Sequence, residues 1–157
     1  MSDERHMRRC LNLARLALTD GEVPVGAVIV DGDRIVGEGS ESTHRLLDPC
    51  AHAEVRAIQA ACRATQSSSL SGLTLYTTVE PCVLCAYVVR STGIGRVVFG
   101  IPAGRLGGCT SSYALLTDNS WPGSPPPRIT RGILAVECED VMREFVGRRA
   151  GREDGPT

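Results

Sequence analysis

The sequence predicts an α/β domain in which helices cover a five-stranded sheet, and two patterns support this fold class. A β-branched apolar run at 23–30, a tight turn and a second short strand predict a hairpin. Beyond residue 51, helical and strand patterns alternate, and a strand–helix–strand order implies a parallel crossover. A chain of 157 residues is long enough for one sizeable core, so we expect a single domain with its core at about 7–146 and a flexible tail at 148–157.

Each expected element has its own local signal. Apolar residues at helical spacing predict the helices, β-branched runs predict the strands, and clusters of glycine, proline or serine mark their ends. The prolines between 119 and 127 exclude regular structure there. In chain order we expect helix 7–18, strands 23–30 and 34–38, a polar loop 38–50, helix 51–64, strand 73–79, a helix from Pro81 to about 92, strand 96–100, a loop 101–108, a short helix 111–116, a surface loop 119–127, strand 129–136 and helix 137–146.

Composition narrows the environment and the partners. The net charge is −1, so the chain lacks the strong overall positive charge that is typical of nucleic-acid-binding proteins. All 17 basic residues are arginine, which we attribute to a bias in coding composition. No apolar run approaches the roughly 18 residues that a membrane helix needs, and the charged N-terminus lacks a signal-peptide core. Seven cysteines are an odd number, which argues against a disulfide framework. We therefore expect a cytoplasmic protein without a membrane partner.

Two short motifs predict a zinc site with an open coordination position. His52 and the pair Cys82 and Cys85 offer one imidazole and two thiolates, which are ligands that zinc prefers. A catalytic zinc site has three protein ligands and leaves its fourth position to water. We expect His52 and Pro81 to lie at the starts of two helices, so that both positive helix ends point at the ion and favour thiolate. Bound zinc would lower the pKa of the water toward about 7.

Glu54 follows His52 by two residues, and a carboxylate there can take a proton from the water and pass it to a leaving nitrogen. His-x-Glu followed by Pro-Cys-x-x-Cys is the signature of zinc nucleobase deaminases. The alternative is a structural zinc site with Cys50, Cys109 or Cys138 as the fourth ligand. That alternative leaves the carboxylate and the proline without a role, so the motifs favour hydrolytic deamination.

Four segments carry a resemblance to a known family: 22–28, 48–54, 75–85 and 94–100. On these residues the chain resembles the cytidine/deoxycytidylate deaminase superfamily, in the branch of guanine, cytosine and tRNA adenosine deaminases. The resemblance covers about 7–146 and implies a three-layer α/β/α fold around a mixed five-stranded sheet. It also implies one Zn2+ per chain, a homodimer, and Glu54 as the proton shuttle.

The resemblance further implies how a base would be held. Backbone groups around Ala53 and on the strand before Pro81 would bind the edge of the base. An aromatic side chain would cover its flat face, and Tyr113 and Trp121 are the candidates.

Two departures from this branch bear on the substrate. Relatives that handle tRNA or guanine generally carry asparagine where this chain has Glu41, and an ionised carboxylate only accepts hydrogen bonds. We hypothesise that Glu41 selects a ring edge or a ribose that presents two donors. Relatives that act on tRNA tend to have an aspartate in the stretch where this chain has Ala103. These departures favour a free nucleobase, a nucleoside or a related small aminoheterocycle, guanine-like or cytosine-like, as the substrate.

Two alternatives stay open. The first is a tRNA-specific adenosine-to-inosine deaminase, whose phosphate contacts would come from arginines near the C-terminus: Arg143, Arg148, Arg149 and Arg152. The second is a protein of the same fold that binds zinc without turnover.

Overall fold

The computed structural model of the protein describes residues 2–153. Its elements are, in chain order, α1 (Ser2–Thr19), β1 (Gly26–Asp31), β2 (Arg34–Ser40), α2 (Thr43–Leu46), α3 (Ala53–Thr65), β3 (Thr74–Val79), α4 (Val83–Thr92), β4 (Arg96–Ile101), a 3₁₀ turn (Gly104–Leu106), β5 (Arg128–Arg131) and α5 (Ala135–Glu153). None of the helices in this part of the chain combines the length and the hydrophobicity needed to cross a membrane.

The sheet is mixed, and its five strands lie in the order β2-β1-β3-β4-β5. β1 is antiparallel to both of its neighbours, whereas β3, β4 and β5 are parallel to one another. α4 forms the crossover between β3 and β4, as the alternation of strand and helix patterns predicts. The C-terminal end of β3 therefore meets the N-terminal end of α4. Open α/β sheets bind ligands at this place, beyond the carboxyl ends of their parallel strands.

Helices cover both faces of the sheet, and this confirms the predicted three-layer α/β/α fold. Alternate residues of β1 enter two separate cores. Ala27 and Ile29 pack with the buried residues of α3 and α4, whereas Val28 and Val30 pack with those of α1 and α5. β1 is therefore apolar on both of its faces, as a strand between two helical layers must be.

Two glycines of β2 let α3 lie directly against the backbone of the sheet. A Cβ atom at Gly37 would come within 2.3 Å of the Ala57 carbonyl oxygen, and one at Gly39 would come within 2.2 Å of the Ala53 carbonyl oxygen. Larger residues do not fit at these distances, so only glycine permits this approach. The contact fixes the N-terminal end of α3, where the His-x-Glu motif lies.

Three boundaries in the first part of the chain differ from the sequence predictions. α1 begins at Ser2 instead of residue 7, because Asp3 anchors the first turn through the Arg96 guanidinium and the Tyr76 hydroxyl. The expected loop 38–50 is shorter, since β2 continues to residue 40 and α2 follows it. Pro81 does not open α4, because Cys82 is the N-cap with an extended backbone and the helix begins after it.

The C-terminal third shows the larger differences. The helix expected at 111–116 is absent and turns replace it. The Leu115 carbonyl accepts a hydrogen bond from Arg90, and the Ser111 hydroxyl binds the Gly107 carbonyl, so these groups satisfy one another without a helix. β5 is shorter than expected, and α5 extends to Glu153, so that residues 148–153 are helical where we expected a flexible tail. Residues 154–157 of that expected tail lie outside the described residues.

Candidate metal and catalytic site

Three side chains that the sequence analysis assigned to zinc lie together where two helices begin. His52 is the N-cap of α3, Cys82 is the N-cap of α4, and Cys85 lies in the first turn of α4. The Nδ1 atom of His52 is 3.5 Å from the Sγ atom of Cys82 and 3.5 Å from that of Cys85. Zinc bonds of about 2.0–2.3 Å to nitrogen and sulfur give a tetrahedron with edges of about 3.5 Å, so this triangle fits the ion.

The electrostatics of the triangle also suit a metal cation. The hydrogen bond with the Cys85 side chain, together with the nearby His52 ring, lowers the pKa of Cys82 to about 4 against the effect of burial. Cys82 is therefore held as a thiolate, which is the form that binds metal. One nitrogen and two sulfurs are a donor set that zinc prefers over the hard cations, which take oxygen ligands.

A fourth protein ligand does not join this group. Among residues 2–153, one cluster of side chains could hold a metal ion, and it consists of His52, Cys82 and Cys85. Cys138 packs in the core between the sheet and α1 and α5, and Cys50 is exposed. The structural site with a fourth cysteine is thus not formed, and the open position is consistent with catalysis.

Glu54 lies beside the cysteines and is almost fully buried, with 4% of its surface exposed. The Cys85 thiol donates a hydrogen bond to its Oε2 at 3.4 Å, and the Thr77 hydroxyl lies 3.1 Å from its Oε1. Burial raises the pKa of Glu54 to about 7. A carboxyl group with this pKa can both take up and release a proton near neutral pH, as general acid–base catalysis requires.

Thr77 is a site residue that the sequence analysis missed. Its hydroxyl also lies 3.0 Å from the Val79 carbonyl oxygen. When Glu54 is ionised, the hydroxyl can donate to the carboxylate; when Glu54 is protonated, it can accept from the acid and donate to the carbonyl. The sequence did contain a signal for this role, because Thr77 lies on the strand that leads to Pro81 and alternates in register with Leu75. Its side chain is therefore on the face of the sheet that α3 covers.

Glu41 and Ala53, which the sequence analysis assigned to substrate binding, lie next to this site. Glu41 is 9% exposed, and burial raises the pKa of its carboxyl, while the neighbouring His52 ring and the Ala53 N–H act in the opposite direction. Ala53 is fully buried at the start of α3. The short segment that follows β2 therefore delivers a carboxylate to the N-terminal end of the helix that carries the His-x-Glu motif.

Tyr113 and Trp121, the candidates for covering a base, lie in the segment between the 3₁₀ turn and β5. Tyr113 is exposed and shares a shallow groove with Val83, in the first turn of α4. Trp121 packs edge-on against Tyr87 at 5.5 Å between ring centroids, and the Arg90 guanidinium lies 5.5 Å from its ring. Trp121 thus packs against residues in the middle and second half of α4, while Tyr113 lies close to its first turn.

A groove of positive charge runs between the C-terminal ends of α1 and α5 and the helix α2. We call it the arginine groove, and it is lined by Leu18, Thr19, Gly21, His44, Phe145, Arg148, Arg149 and Arg152. The Arg149 guanidinium lies 5.8 Å from the centre of the Phe145 ring, and Arg148 pairs with Glu144 at 2.7 Å. The sequence analysis singled out these arginines, but it could not bring them next to α2, which lies about 100 residues earlier in the chain.

Sequence comparison identifies the family to which this arrangement belongs. The family model described as the cytidine and deoxycytidylate deaminase zinc-binding region matches residues 1–101, which include all three candidate zinc ligands and Glu54. The chain belongs to this family. The predicted reaction class is thereby confirmed: the protein is a zinc-dependent hydrolytic deaminase, and Zn2+ is its cofactor.

Individual relatives narrow the comparison. The chain is 38% identical over 148 residues to the tRNA-specific adenosine deaminase of Haemophilus influenzae. The aligned region covers 94% of this chain and 84% of the relative. It is also 38% identical over 118 residues to the tRNA-specific adenosine deaminase of Aquifex aeolicus, covering 75% of this chain and 78% of the relative.

Solved structures agree with these relatives. A structure from work on A-to-I editing by tRNA:A34 deaminases superimposes with a TM-score of 0.82 at 31% identity, over 87% of this chain and 98% of the other. A guanine deaminase from Nitrosomonas europaea gives a TM-score of 0.75 at 20% identity, over 92% of this chain and 84% of the other, and shows the shared fold alone.

The comparisons overturn the predicted substrate. The departures at Glu41 and Ala103 and the net charge of −1 favoured a free nucleobase, nucleoside or small aminoheterocycle. That prediction is wrong, because relatives that match most of the chain at 38% identity are tRNA-specific adenosine deaminases. The net charge is a sum over the whole chain, so it does not exclude a local concentration of positive charge such as the arginine groove.

Proposed function

We propose that the protein deaminates adenosine to inosine in tRNA, at the wobble position of the anticodon. The observation that carries this proposal is the 38% identity to a tRNA-specific adenosine deaminase over 94% of the chain. The relative named for A34 deamination, with a TM-score of 0.82, supports the wobble position.

In the proposed site, His52, Cys82 and Cys85 hold the zinc ion. When bound there, zinc supplies Lewis-acid activation, which makes water nucleophilic near neutral pH. Glu54 takes a proton from the water that adds to C6 of adenine and delivers it to the amino group on the same carbon. That amino group leaves as ammonia, so that adenosine and water give inosine and ammonia. Thr77 keeps the Glu54 carboxyl hydrogen-bonded in both of its protonation states.

Glu41 and Ala53 are the proposed contacts to the target nucleoside. An ionised carboxylate accepts hydrogen bonds and donates none. The ring edges of adenine present nitrogen acceptors, and its one amino group is the leaving group, whereas ribose presents hydroxyl donors. We therefore assign Glu41 to a ribose hydroxyl and the backbone near Ala53 to the base, with Tyr113 as the candidate aromatic cover and Trp121 as the alternative. A Glu41→Gln variant that keeps full activity would contradict the assignment of Glu41.

The arginine groove supports an RNA substrate and gives it a path over the surface. His44 lies on α2, three residues after Glu41, so one short segment of the chain joins the groove to the proposed nucleoside site. Guanidinium groups bind phosphate through paired N–H donors, and the Phe145 ring beside Arg149 adds an apolar surface. Because each neutralised phosphate releases counterions, affinity for RNA should fall steeply with salt.

We also propose a homodimer, and the surface near the start of α4 is the candidate interface. Two large apolar side chains of this helix, Val83 and Tyr87, are 40% and 56% exposed. Exposed aromatic and aliphatic side chains on one helix are typical of an interface. Light scattering after gel filtration tests this proposal, since Tyr87→Glu should yield a monomer if the interface lies here.

The experiment that tests the proposed function measures ammonia and inosine from zinc-loaded protein, with Glu54→Ala as the blank. The substrates are an anticodon stem-loop with adenosine at the wobble position, the same stem-loop with guanosine there, free adenosine, adenine, guanine and cytosine. We expect turnover of the first stem-loop only, and none in the blank. Turnover confined to a small molecule contradicts the proposal. If the protein binds zinc but releases ammonia from none of these substrates, the result would instead favour the alternative of a deaminase-fold protein that binds zinc without turnover.

A further inference from the structure

Glu80 is a fully enclosed carboxylate that sits between the metal site and a neighbouring loop. It is 1% exposed and lies directly after β3, before Pro81 and Cys82. Its Oε1 accepts hydrogen bonds from the Ala103 N–H at 3.1 Å and from the Thr110 hydroxyl at 2.6 Å. Its Oε2 accepts from two consecutive backbone N–H groups, those of Cys109 and Thr110, each at 2.8 Å. Four donors of one loop therefore converge on one side chain.

The loop that supplies these donors, residues 102–110, is also held by its backbone. The Gly108 N–H donates to the Pro81 carbonyl at 2.8 Å, and Gly107 pairs with Cys82 in an isolated bridge. A Cβ atom at Gly107 would lie 2.3 Å from Oε2 of Glu80, so the loop wraps the carboxylate at a distance that only glycine allows. The turn that carries a zinc ligand and this loop are thus one hydrogen-bonded unit.

The outer part of this unit presents a positive charge to solvent. Arg105 lies on the 3₁₀ turn, two residues before Gly107, and its side chain is exposed. Among the residues that the structure describes, Arg105 forms no salt bridge. It also lines a shallow surface groove together with Tyr113, the candidate aromatic cover.

We propose that Glu80 is a positioning residue: its carboxylate fixes the 102–110 loop to the metal-ligand turn and thereby places Arg105 on a phosphate of the bound RNA. This inference rests on the proposed function for its RNA partner, whereas the anchoring of the loop by Glu80 stands on the contacts alone. Glutamine cannot replace the carboxylate, because its amide group offers one acceptor oxygen and would place N–H groups against the donors of the loop.

The anchoring step is tested without RNA, by hydrogen exchange of the Cys109 and Thr110 amides in the zinc-loaded protein. Glu80→Gln should accelerate the exchange of both amides while the zinc content stays at one per chain. Thr110→Val is the matched control, because it removes the hydroxyl donor and leaves both N–H bonds to Glu80 in place, and these amides should stay slow. Unchanged exchange in Glu80→Gln would overturn the proposal. Should Glu80→Gln fail to fold, Gly107→Ala disturbs the same contact from the loop and should give the same faster exchange.

The positioning step is tested by a double-mutant cycle on binding of the anticodon stem-loop across a range of salt concentrations. Arg105→Ala should reduce the slope of log Kd against log salt by about 1, as expected for one lost phosphate contact. Glu80→Gln should reduce the slope by the same amount, and the double variant should match either single variant. Additive effects, or a Glu80→Gln slope equal to that of the wild type, would overturn the proposal. A wild-type protein that binds no stem-loop refutes the proposed function and the placement of Arg105, while the exchange result still decides whether Glu80 anchors the loop.

Discussion

His6 occupies an unfavourable position in the core, and we expect its replacement by methionine to stabilise the protein. The ring is 1% exposed and packs against Tyr76 at 4.9 Å between ring centroids. Within residues 2–153, neither of its nitrogen atoms has a hydrogen-bond partner. Methionine has a similar volume, suits the helix, and can keep a contact between its sulfur and the Tyr76 ring.

The magnitude follows from the unmade hydrogen bonds. A buried polar group without a partner costs about 1–3 kcal/mol, and we expect His6→Met to recover about 1–2 kcal/mol of this after repacking. For a chain of this size, each kcal/mol corresponds to about 2–4 °C in Tm, so the expected increase is about 2–8 °C.

The pH dependence gives a second and sharper measure. Burial lowers the pKa of His6, Arg5 lowers it further, and Asp33 and Asp3 oppose the shift. The unfolded chain therefore takes up a proton near the ordinary pKa of about 6.5, while the folded protein does not. The wild type therefore has its full stability above about pH 6.5 and loses stability as the pH falls from there toward the folded-state pKa of His6. The advantage of His6→Met over the wild type should consequently widen between about pH 7 and pH 5.5.

Urea unfolding at several pH values, with zinc present at equal concentration, measures both effects. His44→Met is the matched control, since His44 is exposed on α2 and its replacement should leave the free energy of unfolding unchanged at neutral pH. A His6→Met variant that is less stable than the wild type, or whose advantage stays constant as the pH falls, would refute the reasoning.

Four further predictions concern the site and the helix packing. Glu54→Gln should lower kcat by about 10²- to 10⁴-fold with zinc content unchanged by mass spectrometry, and lost zinc would contradict a role in proton transfer alone. Thr77→Val should lower kcat by about tenfold, because it removes a hydrogen bond to a charged group; an unchanged kcat would exclude Thr77 from the reaction. Removal of zinc by a chelator should lower the Tm reversibly, and Cys82→Ser should abolish that response in calorimetry. Gly39→Ala should destabilise the fold by about 1–3 kcal/mol, whereas the control Gly147→Ala, which meets no atom within 4 Å, should stabilise it by about 0.5–1 kcal/mol in urea unfolding.

The metal site was the part of the structure most accessible from the sequence. Its residues come in two short motifs, and helix N-termini place His52 and Cys82 by local geometry. The first four strands were predictable for the same reason, since β-branched runs and glycine turns are local signals, whereas β5 ends at Arg131 instead of residue 136. Pro81 shows the limit of this accuracy, because the boundary between an N-cap and a first helical residue depends on one backbone angle.

The contacts that the sequence could not supply all join distant segments. Glu80 and Thr110 are 30 residues apart, and nothing in the local pattern around either residue indicates that they meet. The glycines of β2 have a role only once α3 lies against them. The arginine groove is another such feature, because the residues of α1, α2 and α5 that line it come together only in the folded chain.

The measurement that tests the central claim most directly is sequencing of a tRNA pool after incubation with the zinc-loaded protein. Inosine pairs as guanosine during reverse transcription, so each deaminated adenosine becomes a change from A to G in the sequence. We expect such changes at the wobble position of tRNAs that carry adenosine there, and no change with Glu54→Ala. The account would be contradicted if the protein releases ammonia from a free base but leaves the tRNA pool without A-to-G changes.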